Sequence, residues 1–168
     1  MIRYYLKQRL FSLTNDFTVQ DEKNEPVFKV HGKFLHIGDD ITVTDIAGGQ
    51  ELVHIKQKVI SLLPCYDVYR NGELLVRVNK QFHLSGERFK VTGDNGKTYQ
   101  IVGNIFDWDF SINDEADNVL GRVNRNLSVF RDSYAVEIES EADVPFIIAM
   151  ALVIELVKVQ RDRALRLK

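Results

Sequence analysis

The chain has 168 residues, of which 45% are hydrophobic and 27% are charged, and its formal net charge at pH 7 is −2. This size and apolar content favour one compact domain and exclude an intrinsically disordered chain. The single cysteine, Cys65, excludes a scaffold held by internal disulfides, and the near-neutral charge argues against a protein coated for nucleic acid.

The N-terminal segment has no signal-peptide pattern. Residues 1–10 contain scattered basic side chains but neither an apolar core nor a small-residue cleavage site. Ile2 follows the initiator methionine, which excludes N-myristoylation. We therefore expect a cytoplasmic protein, free or peripheral at a membrane, with Cys65 as a reduced thiol.

Most of the chain alternates apolar and polar residues with the period of two that is typical of half-buried β-strands. Polar clusters, among them Asn71-Gly72 and Asn95-Gly96, separate these runs in pairs, and Asn-Gly is a strong hairpin signal. Spacings of 21 to 25 residues between the pairs accommodate one hairpin each, which predicts about twelve antiparallel strands within residues 4–140. The leading strands are predicted to begin near Phe17, Ile41, Tyr66, Phe89, Phe110 and Tyr134.

The C-terminal region breaks this alternation. Twelve of the fourteen residues in 144–157 are apolar. Asp143 can cap the start of a helix, and Pro145 lies where the first helical turn tolerates proline. The sequence therefore predicts a central helix over about 143–160, followed by a basic tail over 161–168.

A helix that is apolar on every side must be buried in protein or in a membrane. Fourteen helical residues span only ~21 Å, against ~30 Å of hydrocarbon, and Glu155 adds a cost to crossing, so we expect no transmembrane segment. A barrel of about twelve strands has a lumen wide enough for a helix of ~10–12 Å. The sequence thus predicts a closed antiparallel β-barrel around its own C-terminal helix, as a single domain over residues 1–168.

Short strings in a fixed order along the chain carry a family resemblance. They are YLKQ (5–8), FTVQDE (17–22), VFKVHGK (27–33), IKQK (55–58), PCY (64–66) and YAVEI (134–138), followed by Asp143 and the apolar helix. In these strings the chain resembles the LURP-one-related family, in particular its short, YxjI-like bacterial members.

The resemblance implies a tubby-like fold, a closed twelve-stranded antiparallel barrel that encloses a hydrophobic C-terminal α-helix. The family's relatives include tubby proteins, which bind phosphoinositides, and phospholipid scramblases. It implies no particular activity for this branch. The chain also lacks the cysteine-rich segment and the calcium-loop pattern associated with scramblases.

Basic side chains are the candidate binding residues. They include two pairs with a spacing of two, and such a pair projects from one face of a strand. If these residues form a concave basic surface, it could bind anionic lipid headgroups. The alternative interpretation is that they belong to an ordinary solvated barrel exterior. The candidates are Lys56, Lys58, Arg77, Lys80, Arg88 and Lys90.

The segment Phe106-Asp107-Trp108-Asp109-Phe110 offers an alternative, catalytic hypothesis. In a strand its three aromatic side chains would share one face and its two carboxylates the other. Carboxylates two residues apart on a strand are ~6.5–7 Å apart, a separation within the range of glycosidase acid pairs. A hydrolase would therefore use Asp107 and Asp109, and it would need a cleft and different environments for the two carboxylates. The alternative interpretation, a solvated strand face, requires neither.

Histidine and cysteine predict no metal site or nucleophile. None of His31, His36, His54 and His83 has a metal-ligand partner at a recognised spacing, and Cys65 has no base near it in sequence.

The sequence therefore favours a monomeric binding or scaffold module rather than an enzyme, without a cofactor. Its expected partner is an anionic lipid headgroup or a protein, and nucleic acid is not an expected partner.

Overall fold

The structure, a computed structural model, describes residues 1–7, 16–34, 38–81, 84 and 88–166. Its strands form one closed antiparallel barrel in which neighbours in sequence are neighbours in space, and β1 pairs with both β2 and β12. The strands are β1 Ile2–Lys7, β2 Asp16–Gln20, β3 Pro26–Phe34, β4 Asp39–Asp45, β5 Glu51–Gln57, β6 Cys65–Arg70, β7 Glu73–Gln81, β8 Arg88–Gly93, β9 Thr98–Asn104, β10 Asp109–Asn113, β11 Val119–Asn124 and β12 Ser133–Ile138, followed by the helix α1, Val144–Arg166.

The predicted twelve-stranded barrel with a C-terminal helix is confirmed. Each even-numbered strand begins within two residues of its predicted leading position. The helix continues to Arg166, so residues 161–166 of the predicted basic tail are helical, while 167–168 lie outside the described residues. The first strand likewise begins at Ile2, before the predicted residue 4.

The inner face of the barrel wall consists of the apolar members of the alternating runs. Val30 pairs with Val43, and Val43 pairs with Val53, and all three side chains are fully buried. β-Branched residues suit this position because they pack well against cross-strand neighbours on a pleated surface. Their polar neighbours in sequence face outward.

Helix α1 fills the lumen. Every residue from Ile147 to Leu156 has an exposed fraction of 0% or 1%, which is the burial expected for a helix enclosed on all sides. A side-chain carbon at Gly121 would lie only 2.7 Å from Cγ2 of Ile147. The wall therefore needs glycine where β11 approaches the helix most closely.

The start of the helix is fixed by one carboxylate. Asp143 accepts a hydrogen bond from the backbone N–H of Phe146 at 3.1 Å, as a capping residue does. It also accepts two from the Arg70 guanidinium, at 2.7 and 2.8 Å. Burial alone would raise the pKa of Asp143, but these hydrogen bonds hold it below its ordinary value.

Contacts with the barrel also hold the last turns of the helix. Lys158 Nζ donates a hydrogen bond to the carbonyl oxygen of Phe106 at 2.7 Å and lies 3.9 Å from the centre of the Trp108 ring. Trp108 in turn stacks on Tyr134, with ring centres 4.1 Å apart. Gln160 donates to Asp39 at 3.2 Å. The helix is thus fastened to the wall at both ends.

The two ends of the barrel differ in their connections. Because the strands are antiparallel and consecutive, the turns that follow even-numbered strands all lie at one end. We call this the turn end, formed by residues 21–25, 46–50, 71–72, 94–97, 114–118 and 139–143. The opposite end, the loop end, comprises in its described part residues 38, 58–64, 84, 105–108, 125–132 and the last turns of α1, 158–166.

The same substitution at two leucines of α1 tests whether the helix is buried in the lumen. Leu152 is fully buried and Leu165 is 58% exposed. We expect Leu152→Ala to lower the free energy of unfolding by about 2–5 kcal/mol, because it leaves a cavity in the packed lumen. Leu165→Ala should change it by less than about 0.5 kcal/mol. Urea denaturation measures both, and equal effects would mean that the helix does not occupy the lumen.

Candidate anion-binding site

Strand register brings most of the predicted basic residues onto one outer face. Lys56 lies opposite Asp67, and Asp67 lies opposite Arg77. Two residues beyond Arg77 on β7, closer to the loop end, Asn79 lies opposite Lys90. The inner neighbours of these residues in the chain, such as Ile55, Val78 and Val91, are fully buried, so the basic side chains point outward. We call this surface the basic outer face, formed by Lys56, Lys58, Arg77, Arg88 and Lys90.

Lys80 does not belong to this surface. It pairs with Phe89 and has the same parity along β7 as Val76 and Val78, whose side chains are buried in the barrel. The structure therefore places Lys80 on the inner side of the wall, half-buried near the loop end. The expectation that it joins the other candidates on the exterior is corrected.

Arg77 is committed to an ion pair. Its Nε and Nη2 donate to the two carboxylate oxygens of Asp67 at 2.7 and 3.1 Å. The Asp67 side chain is only 8% exposed, so Arg77 compensates a carboxylate that is largely withdrawn from water. The bond to Asp67 raises the pKa of the guanidinium. Arg77 therefore stabilises the wall rather than offering a free positive charge.

Lys56 is partly compensated as well. It lies between Asp40 and Asp67 in the register of three neighbouring strands. Its ammonium also lies 5.8 Å from the centre of the Tyr69 ring. The positive potential at this position is reduced by the two flanking carboxylates.

The three remaining cations have uncharged cross-strand neighbours. Lys90 lies between Asn79 and Gln100, and Arg88 lies between Gln81 and Val102. Lys58 follows β5, where its backbone N–H donates to the Cys65 carbonyl oxygen at 2.9 Å. All three side chains are exposed and lie in the half of the barrel nearest the loop end. Ammonium and guanidinium groups so placed can bind phosphate oxygens.

A charge separation between the two ends is the feature that the sequence analysis missed. The turn end carries ten carboxylates and two lysines, a formal charge of −8. Among its described side chains the loop end carries six cations and three carboxylates, a formal charge of +3. The six cations are Lys58, Arg125, Arg131, Lys158, Arg161 and Arg166, and the carboxylates are Asp107, Asp132 and Asp162.

Comparison with known proteins identifies the family. A family model described as LURP-one-related matches residues 2–155. The chain belongs to the LURP-one-related family. It is 34% identical over 157 residues to the uncharacterized protein YxjI of Bacillus subtilis (strain 168), and the match covers 94% of each chain.

The fold of this LURP-one-related protein also matches a solved structure. The X-ray structure of a protein from Arabidopsis thaliana superposes with a TM-score of 0.69 at 16% sequence identity. The match covers 93% of this chain and 90% of the plant protein. At that identity the similarity concerns the fold alone.

The predicted carboxylate pair does not lie on one strand in this LURP-one-related chain. Residues 105–107 form a 3-10 turn, and Trp108 adopts a left-handed backbone conformation with φ 55°. Strand β10 begins only after it, so the expected continuous strand over 106–110 is wrong. Asp107 accepts a hydrogen bond from Asn104 Nδ2 at 2.6 Å, and Asp109 accepts one from Asn124 Nδ2 at 3.1 Å. Each carboxylate therefore has its own amide partner.

The described histidines pair with nearby carboxylates, and Cys65 is a buried thiol. Burial, followed by the negative charge of Asp67, raises the pKa of the Cys65 thiol, which disfavours the reactive thiolate. His31 Nδ1 lies 2.6 Å from Asp16 Oδ1, and His54 bonds to Asp40. The predicted positions His36 and His83 lie outside the described residues.

Neither a metal cluster nor a membrane-crossing helix is found in the ranges that the structure describes. No three His, Cys, Asp or Glu side chains there form a group that could hold a metal ion. No helix in those ranges combines the length and the apolar content that crossing a membrane requires.

Removing the charge of Arg77 should destabilise the protein more than removing the charge of Lys90. We expect Arg77→Gln to lower the free energy of unfolding by about 1–3 kcal/mol, because it leaves the buried Asp67 carboxylate without its bidentate partner. Lys90→Gln should stay within about 0.5 kcal/mol of the wild type, since Lys90 is an exposed surface residue. Thermal and urea denaturation compare the two, and equal losses would contradict the distinction between them.

Proposed function

We propose that this protein is a non-enzymatic binding module that recognises the phosphate groups of anionic phospholipids at a membrane surface. The observation that supports this most directly is the position of Lys58, Arg88 and Lys90. They are exposed, they lie on one outer face beside uncharged neighbours, and that face continues into the basic loop end. In this proposal the protein acts as a cytoplasmic monomer, peripheral at the membrane and without a cofactor.

The spacing of these cations suits a surface of many headgroups better than one small anion. Lys58 and Lys90 lie three strands apart, and neighbouring strands are ~4.8 Å apart, so their backbones are separated by ~14 Å. Cations at such a distance contact different headgroups of an anionic leaflet. Each Lys or Arg near such a surface contributes about 1 kcal/mol, so binding grows with the number of cations.

The cavity at the turn end does not favour an anionic ligand. Its volume is about 400 Å³, and its lining includes Asp114, Glu115 and Asp143 together with the apolar Tyr99 and Phe146. Carboxylates at this end repel phosphate groups, whereas the cations of the basic outer face attract them. Charge therefore favours the loop-end half of the barrel as the binding surface.

Vesicle sedimentation tests this function. We expect the protein to bind vesicles of phosphatidylcholine mixed with phosphatidylserine, and to release them as salt is raised, since exposed charges are screened. The variant Lys56→Gln/Lys58→Gln/Arg88→Gln/Lys90→Gln should bind at least about a hundredfold more weakly. A matched variant with the same change in net charge is Lys23→Gln/Lys29→Gln/Lys97→Gln/Arg122→Gln, which should bind much more tightly than the first.

Two results would contradict the proposal. Failure of the wild-type protein to sediment with phosphatidylserine vesicles at low salt would remove lipid binding and favour the alternative, a protein-interaction scaffold without a lipid ligand. Equal weakening in the two variants would show that net charge, rather than the basic outer face, determines binding.

A further inference from the structure

Large apolar side chains are exposed at the loop end. Ile60 and Leu62 in the connection between β5 and β6 are 97% and 105% exposed, so they contact almost nothing in the fold. Of the ten large apolar residues exposed in the described part of the chain, seven lie at this end. They are Val59, Ile60, Leu62, Leu84, Leu127, Val129 and Leu165.

The opposite end has few such residues. The other three exposed large apolar residues are Met1, Ile2 and Ile46, all near the turn end, which carries the charge of −8. An exposed apolar cluster on a water-soluble domain marks a surface that contacts another apolar phase.

Cations accompany the exposed apolar residues in three described segments of the loop end. Lys58 precedes Ile60 by two residues, and Arg131 follows Val129 by two. Leu165 is adjacent to Arg166 on the last turn of α1. Protein–protein interfaces are depleted in lysine, whereas apolar side chains interspersed with Lys and Arg are typical of segments that lie in the interface of an anionic bilayer.

We infer that the loop end docks onto an anionic lipid bilayer, with Ile60, Leu62, Val129 and Leu165 inserted between the headgroups. This inference rests on the proposed function and adds the depth and the direction of binding. The exposed cations of the loop end, such as Lys58 and Arg131, contact the headgroup phosphates. The turn end, with its charge of −8, is repelled from the membrane. The axis of α1 then points towards the bilayer, with Arg166 nearest to it.

Apolar substitutions separate insertion from charge attraction. Leu62→Ser should weaken binding to phosphatidylserine-containing vesicles by about tenfold, and Ile60→Ser/Leu62→Ser by more, because each side chain loses a site of apolar burial. The net charge is unchanged, so the slope of affinity against salt concentration should equal that of the wild type. The control Ile46→Ser, at the turn end, should bind as the wild type does.

A tryptophan placed in the loop reports its depth directly. The native Trp108 is 3% exposed, which gives it a buried background signal. We expect the emission of Leu62→Trp to shift to shorter wavelength when phosphatidylserine vesicles are added, and to be quenched by brominated lipid chains. Ile46→Trp should show neither change.

The outcomes distinguish this inference from the function on which it rests. Salt-sensitive vesicle binding with no effect of Ile60→Ser/Leu62→Ser and no shift for Leu62→Trp would overturn insertion and leave headgroup recognition by the outer face. Absence of any vesicle binding would overturn both. A blue-shifted Leu62→Trp that depends on protein concentration without vesicles would instead assign the loop end to contact between copies of the chain.

Discussion

The structure depends on removing one apolar helix from water. The segment from Ile147 to Leu156 presents no polar side to solvent, and its one carboxylate, Glu155, is only 1% exposed inside the barrel. A wall of twelve strands supplies an enclosure that an eight-stranded barrel is too narrow to provide. The wall in turn needs the helix, because its inward-facing valines and isoleucines would otherwise line an empty cavity.

The topology of the barrel and the direction of the helix also contribute to the charge separation between the two ends. Tight turns favour Asp and Asn, whose side chains accept local backbone hydrogen bonds, and both Asp21 and Asp114 each accept two in this way. These turns all lie at one end because the strands are antiparallel and consecutive. The C-terminal turns of the helix, where cations are favoured by the helix dipole, emerge at the other end. Turn chemistry and helix polarity therefore act in the same direction along the axis.

Local periodicity was enough to predict the wall and the helix, but not the partners on its surface. Asn71 and Gly72 both have positive φ, as the hairpin signal requires, and the apolar run of α1 indicated a buried helix. The pairing of Arg77 with Asp67 depends on the register between β6 and β7, which includes an irregularity at Val68/Tyr69 that spacing alone does not reveal. The break at Trp108, which has a left-handed backbone conformation, is also hidden in the sequence. Apolar and polar residues alternate across residues 106–110, and such alternation is compatible with a short interruption of the strand.

Native-state hydrogen exchange tests the enclosure of the helix most directly. If α1 occupies the lumen, the amides of Ile147–Leu156 can exchange only when the barrel opens, so their protection should equal that of the most protected wall strands and should match the global free energy of unfolding. Exchange of these amides through a lower-energy opening, while the wall strands stay protected, would contradict the account and show that the helix can leave a barrel that remains folded.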